Sequence, residues 1–235
     1  MKWAVLAIIE HQFLMPLEVS AIYRQLDRYC EQGLKMFTSS SFQSHSTVLL
    51  HLLSQYSENV PVYFINTGYL FPETIAYKDQ ISQLFKLEVI DITSSTSKNM
   101  QKDAQGKLLF ASDPDYCCYL NKTQPMETVL RSHDVWINGV RRDQNRFRQS
   151  LAPEESAPYG SLRFHPMLDW TPKDIYKYLN DHKIPRNPLD QQGFFSIGCE
   201  PCTRKRHPEL DEREARWFGM SKFECGLHTD LIKKS

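Results

Sequence analysis

Six cysteines carry the most chemistry in this sequence of 235 residues. Cys117 and Cys118 are adjacent, and Cys199 and Cys202 form a C-x-x-C further on. Cys225 stands alone in Glu224-Cys225-Gly226-Leu227-His228, near the end of the chain. A C-x-x-C is the usual half-site for zinc or an iron–sulfur centre. Two adjacent cysteines on a strand would point to opposite faces, so a tight turn or helix start must redirect them. A cubane of separate irons tolerates that arrangement better than one tetrahedral zinc ion. From the residues alone an iron–sulfur cluster, a zinc ion, and disulfides or inert thiols stay open, in that order. Cys225, in a polar stretch with glycine beside it, has the setting of a nucleophile, whose competent form is the thiolate. Cys30 falls in a helical pattern and reads as a core thiol.

The second chemistry is anion binding. Ser39, Ser40 and Ser41 open a hydroxyl-rich turn. Such a turn at a helix N-terminus favours phosphate, although serine-rich turns are commonly only turns. Asn66-Thr67-Gly68 closes a second apolar run. Arg141, Arg142, Arg146 and Arg148 crowd together, and Arg213 and Arg216 are three apart, sharing a face if 208–218 is helical. Either arginine group could be a solvated charged face. The sharper expectation is a cradle for phosphate or sulfate, which the planar guanidinium grips with two bonds. Lys122 follows Cys118 closely and could couple an anionic cluster to an anionic substrate.

These side chains need a frame. Apolar and polar positions alternate with helical spacing over residues 17–32. Leu34–Thr38 reads as a buried strand, and Thr47–Leu53 as a buried helix. Val60–Ile65, Leu87–Ile92, Val135–Ile137 and Leu162–His165 read as further strands. Helices are expected from Pro72 and after Thr171, which stands before proline and three residues ahead of Asp174. Strands alternating with helices predict an α/β fold, a mainly parallel sheet with flanking helices. Ligands then bind at the carboxyl ends of the strands, where the serine turn and Thr67-Gly68 lie.

Lys plus Arg and Asp plus Glu are both 28, so no net charge argues for nucleic acid or a membrane surface. The N-terminal apolar run is short for a signal peptide and meets Glu10 and His11 at once. No run approaches the length of a membrane span, so the chain reads as cytoplasmic, with its thiols reduced. It is expected to be a single domain over 1–235, with 219–235 a mobile tail carrying the reactive cysteine. The polar stretch 93–99 is the best candidate for a mobile loop.

The stretches SSSF at 39–42, NTGYLFPET at 66–74, Cys117-Cys118 with Lys122, GVRRDQ at 139–144, CEPCTR at 199–204 and KFECGLH at 222–228 carry a resemblance. The chain resembles the assimilatory adenylyl-sulfate and phosphoadenylyl-sulfate reductases, of adenine-nucleotide α-hydrolase-like fold, over most of its length. The resemblance implies that Cys117, Cys118, Cys199 and Cys202 hold a [4Fe–4S] cluster and that Cys225 is the nucleophile. It implies that Arg213 and Arg216 grip the phosphosulfate, and that Lys122 and Arg148 also bind substrate. Ser39–Ser41 and Thr67-Gly68 match the nucleotide loops. The family pattern has Gly where this chain has Gln43, and Asp where it has Asn66.

The implied reaction is reduction of adenylyl sulfate to sulfite and AMP through a cysteine S-sulfonate, in sulfate assimilation. Thioredoxin or a similar dithiol is the implied reductant and partner; a homo-oligomer stays open. The Tyr69–Pro72 and Trp217–Gly219 stretches lean toward the phosphoadenylyl-sulfate branch, and the four cysteines toward adenylyl sulfate. A phosphoadenylyl-sulfate reductase is therefore the alternative, with a tRNA-thiolating enzyme or a zinc-stapled binding module more remote.

Overall fold

The computed structural model describes residues 18–205, 215–217, 219–220, 222, 224–229 and 231. In chain order these form helix α1 (Val19–Glu31), strand β1 (Met36–Ser40), helix α2 (Ser44–Ser54), strand β2 (Val62–Ile65), helix α3 (Pro72–Phe85) and strand β3 (Val89–Ile92). Two short helices follow, α4 (Leu109–Ser112) and α5 (Pro114–Cys118), and α5 runs into a π-helical turn, Tyr119–Thr123. Then come α6 (Gln124–Leu130), strands β4 (Val135–Ile137), β5 (Glu154–Ser156) and β6 (Leu162–Phe164), and helices α7 (Pro172–Asp181) and α8 (Pro188–Gln191).

The six strands make one sheet in the order β3-β2-β1-β4-β6-β5. All neighbours are parallel except β5, which pairs antiparallel with β6. The chain winds from β1 outward through β2 to β3, then crosses back to place β4 on the other side of β1. The carboxyl ends of β1 and β4 therefore flank the point where the winding reverses, the place where such sheets bind ligands.

Alternation along the central strands sets the two packed faces. Met36, Val135 and Ile137 join Ile22, Leu26, Leu49, Leu52, Ile175 and Leu179 on one side, under α1, α2 and α7. Phe37 and Trp136 pack on the other with Met126, Val129 and Leu130 of α6. In α1 the buried Ile22, Leu26 and Tyr29 recur at helical spacing, which is why that segment is a helix lying on the sheet.

The helix starts foreseen from sequence are built as expected. Pro72 occupies the first turn of α3. Thr171 caps α7: its hydroxyl accepts from the Asp174 N–H at 3.3 Å, and the Asp174 carboxylate accepts from the Thr171 N–H at 2.8 Å. Such a reciprocal cap contributes about 1 kcal/mol. Strand β5 was not foreseen, because Glu154-Glu155-Ser156 lacks the β-branched and aromatic residues that mark strands. The helix considered for 208–218 is not formed in its described part. There Arg216 makes an antiparallel bridge with Thr203, and Trp217 has a left-handed φ of 52°. Among the described residues no helix is long and apolar enough to cross a membrane.

Candidate functional site

The serine turn leaves β1 at the sheet's carboxyl edge. Phe42 takes a positive φ of 50° there, a left-handed backbone more often given to glycine. The turn is held from several sides. The Trp136 indole N–H donates to Ser39 Oγ at 2.9 Å, and the Phe42 N–H donates to Ser40 Oγ at 3.1 Å. Gln43 takes the place of the family glycine and acts as a brace. Its Oε1 accepts from the Ile197 N–H at 2.7 Å, and its Nε2 donates to Ser41 Oγ at 3.0 Å. The Gln43 side chain thereby ties the serine turn to the segment just before the C-x-x-C.

A cavity of about 180 Å³ opens beside this turn. Its wall includes Ser39, Ser40, Ser41, Lys122, Arg148, Arg216 and Cys225. Thus seven residues singled out from sequence, drawn from five separate stretches of chain, face one space. Asn138, Gly139 and Val140, following β4, complete the floor, with Gln43, His45, Gly198 and His228 around it.

A second, smaller cavity adjoins the first. It is lined by all four of Cys117, Cys118, Cys199 and Cys202, together with Thr67, Tyr69, Asn121, Lys122 and Trp217. Lys122 therefore lines both spaces. The π-helical turn explains how. Asp113 caps α5, accepting from the Tyr116 N–H at 2.9 Å, and the helix presents both cysteines at its end. The wider π turn that follows then brings Lys122 round to the same space. Asn121 fixes the turn: its Nδ2 donates to Gln101 Oε1 at 2.6 Å and to the Cys117 carbonyl at 2.9 Å.

Thr67 belongs to the cysteine cavity, where its hydroxyl lies 3.3 Å from Cys199 Sγ. It does not line the larger cavity beside the serine turn. Gly68 is covered by Lys98, whose ammonium donates to the Gly68 carbonyl and sits 4.7 Å from the Tyr69 ring centroid. Asn66 Oδ1 accepts from the Gly68 N–H at 3.0 Å, the acceptor role an aspartate would fill. Arg213 lies outside the described residues.

Arg216 lies across the backbone of Gly198, donates from Nε to the Cys202 carbonyl at 3.3 Å and stacks on Trp217, with Cζ 4.5 Å from the ring centroid. Arg148 is buried and paired with the buried carboxylate of Glu224, Nε to Oε2 at 2.9 Å. The tail residue Cys225 is itself buried, packed with Cys202 and Trp217. Sequence reasoning did not single out His228 as a site residue, although it stands in the same tail motif. Its Nδ1 accepts from Arg163 Nη2 at 2.7 Å, which leaves the ring proton of the neutral form on Nε2, and its ring stacks over Trp136.

Electrostatics follow from this packing. Burial alone would lower the Lys122 pKa, but the charges of Cys199, Cys225 and Cys118 outweigh it and raise the value. Lys122 therefore stays cationic although buried. Cys225 and Cys118 share a hydrogen bond, which shifts their thiols in opposite directions. That bond, with Lys122 nearby, holds Cys225 well below the ordinary thiol value despite its burial. The same bond, with burial, pushes Cys118 up. Burial, then the neighbouring Cys199 and Cys202, raise Cys117 to about 11. Burial and the charge of Arg141 lower His45 to about 3, so it faces the cavity neutral.

A mainly parallel sheet with a cation- and hydroxyl-lined cavity at its winding reversal gives this chain an adenine-nucleotide α-hydrolase-like fold. Residues 35–205 match the family model of the phosphoadenosine phosphosulfate reductase domain, and the chain belongs to that family. It is 39% identical over 183 residues to the adenosine 5'-phosphosulfate reductase of Rhodococcus opacus, covering 77% of this chain and 74% of that protein. The enzyme of the same name from Streptomyces coelicolor is 36% identical over 205 residues, covering 86% and 82%. In fold the chain is similar to the phosphoadenylyl-sulfate reductase of Candida auris, with a TM-score of 0.66 and 20% identity over 77% of this chain and 90% of the other. It is also similar to the FMN adenylyltransferase of Candida glabrata, with a TM-score of 0.54 and 17% identity over 86% and 66%.

Proposed function

We propose that this protein reduces adenylyl sulfate to sulfite and AMP, with Cys225 as nucleophile. The observation that carries the reading is that one cavity is walled by the serine turn, Lys122, Arg148, Arg216 and Cys225. Phosphate-binding hydroxyls, sulfate-sized cations and one thiol are the parts the reaction needs. Relatives that share 34–40% identity and bear the name adenosine 5'-phosphosulfate reductase support the substrate.

The Cys225 thiolate attacks the sulfur of the mixed anhydride. A bond forms between Sγ and sulfur, the sulfur–oxygen bond to phosphate breaks, and its electron pair leaves with AMP. The enzyme then holds Cys225–S–SO₃⁻. A dithiol, of which thioredoxin is the type, attacks Sγ and expels sulfite; its second thiol resolves the mixed disulfide and restores Cys225. The dithiol supplies both electrons. Lys122 holds positive charge beside Cys225 and the incoming sulfate, while Arg216 and Arg213 hold the sulfate oxygens. Ser39, Ser40 and Ser41 offer hydroxyls and backbone N–H groups to the AMP phosphate, and the Thr67-Gly68 loop borders the site. The tail 219–235 brings Cys225 to the substrate and carries the adduct out to the dithiol. Chemistry that depends on reduced thiols suits the cytoplasm.

The donor set of the cysteine cavity, four thiols, supports a [4Fe–4S] cluster as the resident cofactor. A tetrahedral zinc needs four sulfurs about 2.3 Å from one point. Four thiols around a common space, beside a buried cation, suit a cluster in which each iron takes one thiolate. Such a cluster would be held by Cys117, Cys118, Cys199 and Cys202 and would supply local negative charge that fixes Lys122 between itself and the substrate.

The test is sulfite release with thioredoxin present, from adenylyl sulfate against its 3'-phosphorylated form. kcat/KM should favour adenylyl sulfate. A preference of about tenfold the other way, which needs only ~1.4 kcal/mol, would assign the 3'-phosphorylated nucleotide instead.

A further inference from the structure

The residue before the reactive cysteine is heavily bonded. Glu224 is buried, yet its carboxylate accepts four hydrogen bonds from described residues. Oε2 accepts from Asn145 Nδ2 and Arg148 Nε, both at 2.9 Å. Oε1 accepts from Arg148 Nη2 at 3.2 Å and from the backbone N–H of Cys225 at 2.9 Å. A buried carboxylate without partners would be expensive, and this one is fully supplied. Its partners divide into two kinds. One is the nucleophile's own backbone. The others belong to the segment after β4, which also forms the wall of the substrate cavity.

That segment is itself fixed. Arg148 Nη1 donates to Gln144 Oε1, and Gln144 Oε1 also accepts from the Arg141 N–H at 3.1 Å. The Arg148 N–H donates to Asn145 Oδ1 at 2.9 Å. All three guanidinium nitrogens of Arg148 are thereby engaged, two of them by Glu224. Glu224 joins a rigid loop on the cavity wall to the backbone of the residue that must be aimed.

We infer that Glu224 is a positioning residue that docks the reactive tail, fixing Cys225 for attack through Arg148 and Asn145. The inference rests on the reading of Cys225 as nucleophile and deepens it. Docking matters only for the first half-reaction, in which Sγ must meet the sulfur in line. In the second half-reaction the tail must be out of the cavity so that a protein dithiol can reach the adduct. Loosening the dock should therefore slow adduct formation and leave adduct cleavage untouched. A carboxylate with a merely structural role would lower both alike.

The experiment uses anaerobically purified full-length protein, with Glu224→Gln and, because a buried arginine without its partner can unfold a protein, the milder Asn145→Ala. Three quantities are read: the rate of iodoacetamide alkylation at Cys225 by peptide mapping, with half-buried Cys30 as internal control; the rate of AMP release from adenylyl sulfate without reductant; and the rate of sulfite release from preformed adduct by a dithiol. Glu224→Gln should speed Cys225 alkylation and slow AMP release by about tenfold or more each, corresponding to ~1.4 kcal/mol of lost docking. Asn145→Ala should fall between it and the wild type. Sulfite release should change less than about twofold, and Cys30 alkylation not at all. Unchanged Cys225 alkylation in both variants, or equal slowing of both half-reactions, overturns the inference. If wild-type protein releases no AMP, the nucleophile reading fails, and the alkylation ratio alone then decides whether Glu224 docks the tail.

Discussion

Gly198 gives Arg216 its position: a Cβ at residue 198 would lie 2.5 Å from the guanidinium carbon and 2.6 Å from Nη1. The guanidinium rests on bare backbone, between the C-x-x-C segment and Trp217, and faces the cavity from there. Because the atoms in the way are the end of a flexible side chain, Gly198→Ala should move Arg216 and leave the fold standing. The expected result is a loss of about tenfold or more in kcat/KM for adenylyl sulfate, ~1.4 kcal/mol of transition-state stabilisation, with little change in Tm. Unchanged kinetics would make Arg216 a packing contact of the C-x-x-C segment and not a substrate ligand.

The cysteine cavity makes a prediction about composition. Anaerobically purified protein should be brown and carry about four iron and four sulfide per chain. Cys202→Ser should bleach it, and Cys225→Ser should not, because Cys225 belongs to the substrate cavity. Stoichiometric zinc in a colourless, active enzyme would contradict the assignment.

Much of this arrangement is legible in the sequence, for identifiable reasons. Val135–Ile137 is a strand with the bounds read from its apolar run, and the other long runs end within two residues of the observed strands. Thr171 and Pro72 mark helix starts because caps act locally. What the sequence hides is long-range. Strand β5 exists because β6 offers it an edge, and Glu154 accepts from Tyr29 Oη at 2.6 Å, a partner far away in the chain. Thr67 reaches Cys199, and Glu224 reaches Arg148, through tertiary packing that no spacing encodes. The adjacent cysteines are redirected by a helix end and a π turn, where the sequence requires a redirection without specifying which. Gln43 departs from the family glycine, and its brace to Ile197 becomes visible only when the two segments meet.

Stability should fall in acid. Burial holds His45, His51 and His165 below the usual imidazole value of 6.5. At His45 the charge of Arg141 adds to burial, and at His51 that of His182. At His165 burial outweighs the Glu155 carboxylate. As pH falls, the unfolded chain takes up these protons before the folded one. Their contribution is full above about pH 6.5 and is lost below it, at up to ~1.4 kcal/mol per pH unit for His45 and His165 and less for the partly exposed His51, which solvent screens. For His45 the loss continues to about pH 3. The lowered Glu155 pKa acts in the same sense at lower pH. The urea midpoint should therefore drop between pH 7 and pH 5; a flat or rising midpoint would contradict the burial of these rings as neutral groups.

The central claim is that Cys225 attacks the substrate and that reductant enters only afterwards. The most direct measurement mixes the anaerobic enzyme with adenylyl sulfate and no dithiol, then quantifies AMP and maps the protein by mass. The account predicts about one AMP per chain and one added SO₃ group on the peptide that carries Cys225, with neither product from Cys225→Ser. An adduct on Cys30, or AMP release that needs thioredoxin from the first turnover, would contradict it.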